Sequence, residues 1–256
     1  MTTLTPPVMT GRYGFRQVAR MEWIKLRSLR STAWTLLFAL AGTVAAGITA
    51  GFNTSNPHGD PTNNILAGIA LGQIVIGVLG VLVMTSEYSS GMIRATLAAV
   101  PRRPLVLAAK AAVFGAVALA AGELATFAAF LGGVAVLRAT VPHPALSQPT
   151  VLRAVVLSGA YLGLIGLIGL GLGAIVRHSA AAIATLVGAV FVLPIFGLAA
   201  TPAGKFLPEL IVANSLSAVK PVRGFGLPPW AGLGIICVYA AVLLGVGGWL
   251  LARRDA

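Results

Sequence analysis

Long apolar stretches alternate with short polar segments along the whole chain. A helix needs about 20 mostly apolar residues to cross the ~30 Å hydrocarbon core of a bilayer. Six stretches have this length, and they lie at about Ala33 to Phe52, Ile65 to Met84, within Leu105 to Leu137, Ala154 to Val176, Ala180 to Ala200, and Trp230 to Leu251. The pattern therefore predicts an all-α membrane protein with six transmembrane helices.

The segment before the first apolar stretch, residues 12–30, has an amphipathic pattern of its own. Its apolar residues recur every three positions, at Phe15, Val18, Met21 and Ile24. Arginines interleave with them, at Arg16, Arg20, Arg27 and Arg30. Such a pattern is typical of a helix that lies in the membrane interface with its bases near anionic lipid. The simpler alternative is a charged lead-in that only fixes the topology, and the two are compatible.

A second amphipathic segment separates the second and third apolar stretches. Residues 86–104 read SEYSSGMIRATLAAVPRRP. Ser89 or Ser90 is placed to cap a helix start, Pro101 ends the helix, and Pro104 fits the first turn of the next one. The apolar residues at helical spacing are Ile93, Leu97 and Val100. We expect a short helix across the ends of the second and third spans.

Composition removes the soluble alternative. Hydrophobic residues make up 57% of the 256 residues and charged residues only 9%, whereas soluble domains carry about 25% charged residues. The formal net charge is +12, but the bases lie in short clusters between the apolar stretches and form no continuous face for nucleic acid. We therefore expect no nucleic-acid partner.

The lysines and arginines predict the orientation, because loops rich in these residues stay in the cytoplasm. With six spans, thirteen of the 18 fall on one side and five on the other. Both termini are then cytoplasmic. The predicted organisation is a cytoplasmic N-terminus with the interfacial helix (1–32), a six-helix transmembrane domain (33–252) and a cytoplasmic tail (253–256).

Within the predicted spans, one acid and several glycines are notable. Glu123 lies near the middle of the third span, where an acid is costly and is a functional candidate by default. The alternative is a protonated or hydrogen-bonded carboxyl that locks two helices together. Glycines spaced by four occur at Gly47 and Gly51, Gly68 and Gly72, Gly159 and Gly163, and Gly169 and Gly173. Such pairs favour a tightly packed, self-associating bundle.

Motifs of known catalytic chemistry are absent from the sequence. The histidines, His58, His143 and His178, lie in predicted loops or at a helix end, whereas haem in a bundle needs ligands on facing helices. No HExxH or GxSxG occurs. Residues 199–206, AATPAGKF, lack the first glycine and the Ser/Thr of a nucleotide-binding P-loop. We predict a non-enzyme without a metal or cofactor of its own, which takes any energy for transport from an ion gradient or a separate subunit.

Three segments together resemble the bacterial ABC-2 type permeases. Residues 87–94 (EYSSGMIR), with Pro101, the basic pair after it and Lys110, are similar to the cytoplasmic loop of that family. Residues 20–28 (RMEWIKLRS) resemble its N-terminal interfacial helix. Residues 169–183 (GLGLGAIVRHSAAAI) resemble the end of its fourth span. Met92 stands where the family often has threonine.

The resemblance implies the membrane subunit of an ATP-binding cassette exporter. Two permease subunits, identical or different, would pair in the lipid bilayer, and ATP and Mg²⁺ would bind to separate ATPase subunits. The helix at about 89–100 would be the coupling helix that transmits ATPase closure to the second and third spans. The candidate coupling residues are Glu87, Gly91, Ile93, Arg94 and Leu97, with the basic residues Arg102 and Arg103 in the same loop. We further hypothesise that Glu87 and Arg94 hold this corner through local polar contacts.

Two alternatives belong to other functional classes. An ion-coupled secondary transporter would use Glu123 as a proton site and work alone in liposomes, although the two halves show no repeated pattern of broken helices. A non-transport membrane scaffold would have a different partner. The transported substrate is not indicated by any residue.

Overall fold

The computed structural model describes residues 14–56, 59–193, 202–215, 218 and 227–253. All regular structure in these ranges is helical. The helices are α1 (Phe15–Ser28), α2 (Arg30–Asn53), α3 (Pro61–Leu66), α4 (Ile69–Ser89), α5 (Met92–Ala99), α6 (Arg103–Ala135), α7 (Pro149–Val176), α8 (Ser179–Val187) and α9 (Pro229–Arg253). A π-helix (Gly188–Val192) continues α8, and the segment before α9 contains a 3-10 helix (Pro202–Phe206), one α-turn (Pro208–Leu210) and a π-turn (Ile211–Ser215).

Within the described ranges, five helical segments are long and apolar enough to cross a membrane. They are α2, α3 continued by α4, α6, α7 and α9, and they correspond to the predicted first, second, third, fourth and sixth spans. The chain is therefore an all-α, multi-pass membrane protein. The predicted fifth span is represented by the shorter apolar helix Ser179–Val192, and the last part of that prediction, 194–200, lies outside the described residues.

Helix α7 is the centre of the bundle. In its most apolar stretch, 72% of the residues are buried, against 22% for both α2 and α9. It packs on α4, α6 and α9, while α2 packs on α6 and α4. Because α2 and α9 expose large apolar side chains such as Phe38 and Trp249, these two helices supply much of the surface available to lipid.

Glycines allow α4 and α7 to approach closely. A Cβ atom at Gly80 would overlap the carbonyl oxygen of Gly166, and one at Gly169 would overlap that of Gly77. The predicted tight packing at glycine pairs is confirmed within one chain, since Gly163 likewise faces the backbone of Leu119 on α6. The small residues serve contacts between helices of the same bundle.

One end of the bundle, which we call the basic end, collects α1, α5, the start of α6 and the ends of α7 and α9. Two arginines bind the last turns of α9 there. The Arg103 Nη1 atom donates to the carbonyl oxygen of Leu251 at 3.3 Å, and Arg177 Nη2 donates to that of Leu250 at 3.4 Å. These contacts place the start of α6 and the end of α7 beside the final turns of α9.

Helix α1 is amphipathic, as predicted, and it packs on α6. Val18, Glu22 and Leu26, spaced by four, form its buried stripe, while Trp23 is exposed. The sequence prediction placed Ile24 on the apolar side, but Ile24 is exposed. The buried stripe contains an acid because a cluster of opposite charges lies beneath it.

Candidate functional site

A glycine makes the corner between α4 and α5. Gly91 has φ +70°, in the left-handed region that favours glycine, and it is the N-cap residue that directly precedes α5. The predicted cap is present only in part: Gly91 takes the N-cap position, and the Ser90 hydroxyl accepts a long hydrogen bond from the Met92 amide at 3.5 Å while it donates to the carbonyl oxygen of Ser86 at 2.7 Å. The corner is fixed by backbone conformation, and the serines close the end of α4.

Helix α5 has one buried and one exposed face. The predicted apolar face is confirmed, because the side chains of Ile93, Leu97 and Val100 are buried. The opposite face is exposed to the exterior of the bundle and carries Met92, Arg94, Ala95 and Ala98. A small-residue surface with one apolar and one basic side chain is thus presented at the basic end.

Four charged side chains meet beneath α5, and we call them the charge cluster: Glu22, Lys25, Glu87 and Lys110. The Glu87 Oε1 atom accepts hydrogen bonds from Lys110 Nζ at 2.8 Å and from Lys25 Nζ at 2.9 Å. Glu22 also binds both lysines, Lys110 through Oε2 at 2.5 Å and Lys25 through Oε1 at 3.1 Å. Each acid therefore binds each base, and the formal charges cancel.

The charge cluster connects four helices. Glu22 and Lys25 lie on α1, Glu87 on α4 and Lys110 on α6, and Lys25 also donates to the Thr96 hydroxyl of α5 at 3.1 Å. Glu22, Glu87 and Lys110 are 3 to 4% exposed. Charges at this depth are tolerated only with close partners, so a displacement of α4 or α6, each of which carries one member of the charge cluster, would leave a buried charge uncompensated.

Lys25 is the most accessible member of the charge cluster. Burial alone would lower the pKa of its ammonium group, but the hydrogen bond to Glu87 and the charges of Glu22 and Glu87 outweigh it, so the pKa is raised. A raised lysine pKa contributes stability below the pKa of the unfolded chain and loses it as pH rises through the folded value. The contribution of Lys25 is therefore fully present in the neutral range and is lost only at alkaline pH.

The predicted coupling residues do not form one contact set. Glu87 is in the charge cluster, whereas the side chain of Arg94 is exposed and makes no hydrogen bond or ion pair within the described residues. The hypothesis that Glu87 and Arg94 both hold the corner thus applies to Glu87 alone. Arg102 is exposed, while Arg103 binds α9 as described above.

Sequence reasoning missed the partners of Glu87. Lys110 was assigned to the cytoplasmic loop and Glu22 received no role, yet both are buried. A signal was present in the composition, because the chain has only six acids and two of them, Glu22 and Glu87, lie in its most basic segments. An acid retained in such a segment indicates a specific pairing with a base.

A cavity of about 190 Å³ adjoins the charge cluster between α1, α4 and α6. Its wall is mainly apolar, with Leu26, Val83 and Phe114 among its residues. The Glu87 Oε2 atom is buried here and has no hydrogen-bond partner within the described part of the chain. This oxygen can accept a hydrogen bond from one further donor while the existing ion pairs remain intact.

The predicted intramembrane acid, Glu123, lies on α6 against α7. A Cβ atom at Gly159 would lie 2.6 Å from its carboxyl carbon, so glycine makes room for the acid. Its Oε2 atom is buried and has no hydrogen-bond partner among the described residues. Among the described residues, no hydrogen bond through Oε2 locks α6 to a neighbouring helix. Glu123 is also distant along α6 from the charge cluster.

A second polar contact set lies at the opposite end of the bundle. The Tyr161 hydroxyl of α7 donates to Gln73 Oε1 of α4 at 2.6 Å, and Gln73 Nε2 donates to Glu209 Oε2. Tyr161 and Gln73 are buried. The segment before α9 thus contacts the interior of the bundle through Glu209.

Within the ranges described, no group of three or more histidine, cysteine, aspartate or glutamate side chains is arranged to hold a metal ion. Comparison with known proteins adds no assignment: no protein-family model matches the chain, and no curated protein matches it significantly. The geometry of α5 and the charge cluster is therefore the basis for a functional proposal.

Proposed function

We propose that the chain is the permease subunit of an ABC-2 type transporter, with six transmembrane helices in the plasma membrane of a bacterial cell. The basic end and both termini would face the cytoplasm, following the distribution of lysine and arginine. A second permease subunit would pair with it, and separate ATPase subunits would bind ATP and Mg²⁺ and drive export.

The observation that carries the proposal is the arrangement of α5. A short helix stands between two long apolar helices at the basic end, with a free outer face, and its inner side is connected by Thr96 and Lys25 to α1, α4 and α6. A force applied to the outer face of such a helix is transmitted to several spans as a rigid-body movement. This is what a subunit without its own nucleotide site requires.

A test is to place a charge on the outer face of α5. The chain is affinity-purified from its native membranes, and vanadate-sensitive ATP hydrolysis in the eluate is measured. Ala95→Glu introduces an acid at the exposed face, and we expect at least a tenfold loss of co-purifying ATPase activity, because a buried unpaired charge weakens an interface by several kcal/mol. The protein that carries GxxxxGK[ST] should disappear from the eluate with the activity.

The matched control is Ala145→Glu, the same change at an exposed position in the α6–α7 loop at the opposite end. It should retain the ATPase. The proposal is contradicted if no ATPase accompanies the unaltered chain, or if both variants lose it equally.

Glu123 supports a second candidate, an ion-coupled secondary transporter. A buried carboxylate oxygen without a hydrogen-bond donor at mid-span is the kind of group that binds and releases protons in membrane carriers. That function predicts uphill transport by the chain alone in liposomes under a proton gradient, and loss of transport in Glu123→Gln. The scaffold alternative predicts neither activity.

A further inference from the structure

A long groove runs between α1 and α6 on the outside of the bundle, separate from the cavity at the charge cluster. It has a volume of about 1030 Å³. Its α1 wall carries Arg16, Arg20 and Trp23, all exposed. The groove therefore combines two bases one helical turn apart with an indole ring at a surface that the described residues leave open.

The floor of the groove is apolar and made of small residues. Ala112, Ala116 and Ala120 are spaced by four along α6 and are exposed, with Val113 and Val117 half-buried beside them. Residues 112 to 120 cover about 12 Å at 1.5 Å per residue, which is close to the ~15 Å hydrocarbon depth of one leaflet. A row of alanines forms a shallow trough that fits an extended alkyl chain.

We infer that this groove binds an anionic phospholipid from the leaflet in which α1 lies. Its phosphate would bind Arg16 and Arg20, and an acyl chain would lie on the alanines of α6. Arginine suits this contact because its planar guanidinium binds a phosphate through two donors. The apolar floor favours a lipid over a soluble phosphate, because a soluble anion would leave the alanine trough uncovered. The inference is independent of the transport proposal.

The chain offers an internal control for charge. Arg27 and Arg30 are also exposed and lie at the other end of the same segment, but they do not line the groove. A general attraction between a basic helix and anionic lipid would depend on all four arginines alike. A specific site depends on the pair in the groove.

Trp23 is the reporter for the experiment, because its ring lines the groove. The other tryptophans are exposed and are replaced by phenylalanine (Trp34→Phe, Trp230→Phe, Trp249→Phe). The full-length chain is reconstituted in phosphatidylcholine vesicles, and its fluorescence is quenched with phosphatidylglycerol or phosphatidylcholine brominated in the acyl chain. We expect the mole fraction that gives half-maximal quenching to be roughly 25-fold lower for phosphatidylglycerol than for phosphatidylcholine. Each arginine contributes about a fivefold difference in affinity to this ratio.

The variants then distinguish binding at a specific site from a general attraction between the basic helix and anionic lipid. Arg16→Gln with Arg20→Gln should abolish the preference for phosphatidylglycerol, while Arg27→Gln with Arg30→Gln should leave it within about twofold, allowing for residual surface attraction. Ala116→Phe, which fills the trough, should remove the preference. Ala108→Phe, at an exposed position of α6 outside the groove, should retain it.

Native mass spectrometry of the unaltered chain and the two double variants provides a second readout that does not need the tryptophan replacements. The unaltered chain and the Arg27/Arg30 variant should retain phosphatidylglycerol, and the Arg16/Arg20 variant should not. Equal quenching by both lipids, or equal losses in the two arginine pairs, would overturn the inference.

Discussion

Among individual residues, the members of the charge cluster bring ionic groups into the interior of the bundle. Taking a carboxylate or an ammonium group out of water costs several kcal/mol for each ion, and only close opposite charges offset that cost. In this protein each of the two acids contacts both lysines. Glu123 lies at the other extreme, with a buried oxygen that no donor reaches among the described residues.

These two environments predict opposite responses to the same substitution. Glu87→Gln removes a charge that compensates Lys25 and Lys110, and we expect the free energy of unfolding to fall by about 3 kcal/mol. Glu123→Gln replaces a carboxyl group whose buried oxygen has no hydrogen-bond donor among the described residues, so stability should be unchanged or slightly higher. Unfolding by SDS in mixed micelles measures both. Equal losses in the two variants would contradict this account of the charge cluster.

The partners of Glu87 could not be read from the sequence, because the ion pairs between different helices of the cluster join residues that are 23, 62 and 88 positions apart. Helical periodicity reports only which face of one helix is apolar. It places Ile93 and Leu97 correctly, since burial of an apolar side chain is a local property of the pattern. It does not indicate which of several bases a given acid will meet.

At the level of helices, close packing between α4 and α7 depends on glycines that leave no space for a side chain. The carbonyl oxygen of Gly166 lies where a Cβ at residue 80 would be, and the α7 backbone passes equally close elsewhere. A methyl group can be accommodated there only if the two helices separate. Backbone separation would also change the position of Glu87, which lies near the end of the same α4 helix.

Gly80→Ala should therefore destabilise the protein strongly, by about 3 kcal/mol or more, because overpacking between two backbones cannot be relieved by a rotamer change. Gly245→Ala in α9 is the matched control, since a Cβ atom at that residue would have no neighbouring atom within 4 Å. The control should be neutral or stabilising by up to about 1 kcal/mol. Monodispersity after detergent extraction and SDS unfolding report the difference; similar values for both would contradict the packing argument.

The helices themselves were largely predictable. A long apolar stretch in lipid must form a helix, because a helix satisfies all backbone hydrogen bonds within the segment. Helix α6 begins and ends within two residues of the predicted limits, with Pro104 in its first turn. The short helix α3 was missed within the predicted first loop, where Asp60 accepts a hydrogen bond from the Asn63 amide. Six residues give too little periodicity for a prediction.

For the whole molecule, the basic end and the opposite end differ in charge, and this difference predicts the orientation in the membrane. Positively charged loops are retained on the cytoplasmic side. The α4–α5 corner and the ends of α7 and α9 would then be inside the cell, and the α6–α7 loop outside. Both positions lie within the described residues, so single cysteines can be placed on exposed side chains.

In a Cys237→Ser background, Ser147→Cys should react with a membrane-impermeant maleimide in intact cells. Ala98→Cys should react only after the membrane is opened. Both positions are exposed in the folded chain, so the difference reports the side of the membrane and is independent of burial. Labelling of residue 98 from outside would reverse the orientation and remove the basis for an ATPase at α5.

The charge cluster also constrains the order in which the chain is assembled during synthesis. Glu22 and its partner Lys110 are 88 residues apart, so the ribosome produces α1 and two further apolar segments before Lys110 exists, and until then Glu22 has only its neighbour Lys25 as a compensating base. The α6 surface on which α1 packs is also missing until α6 has been inserted. Helix α1 therefore waits for a helix made much later before it can dock, and nascent chains that stop short of α6 should leave it open to proteases.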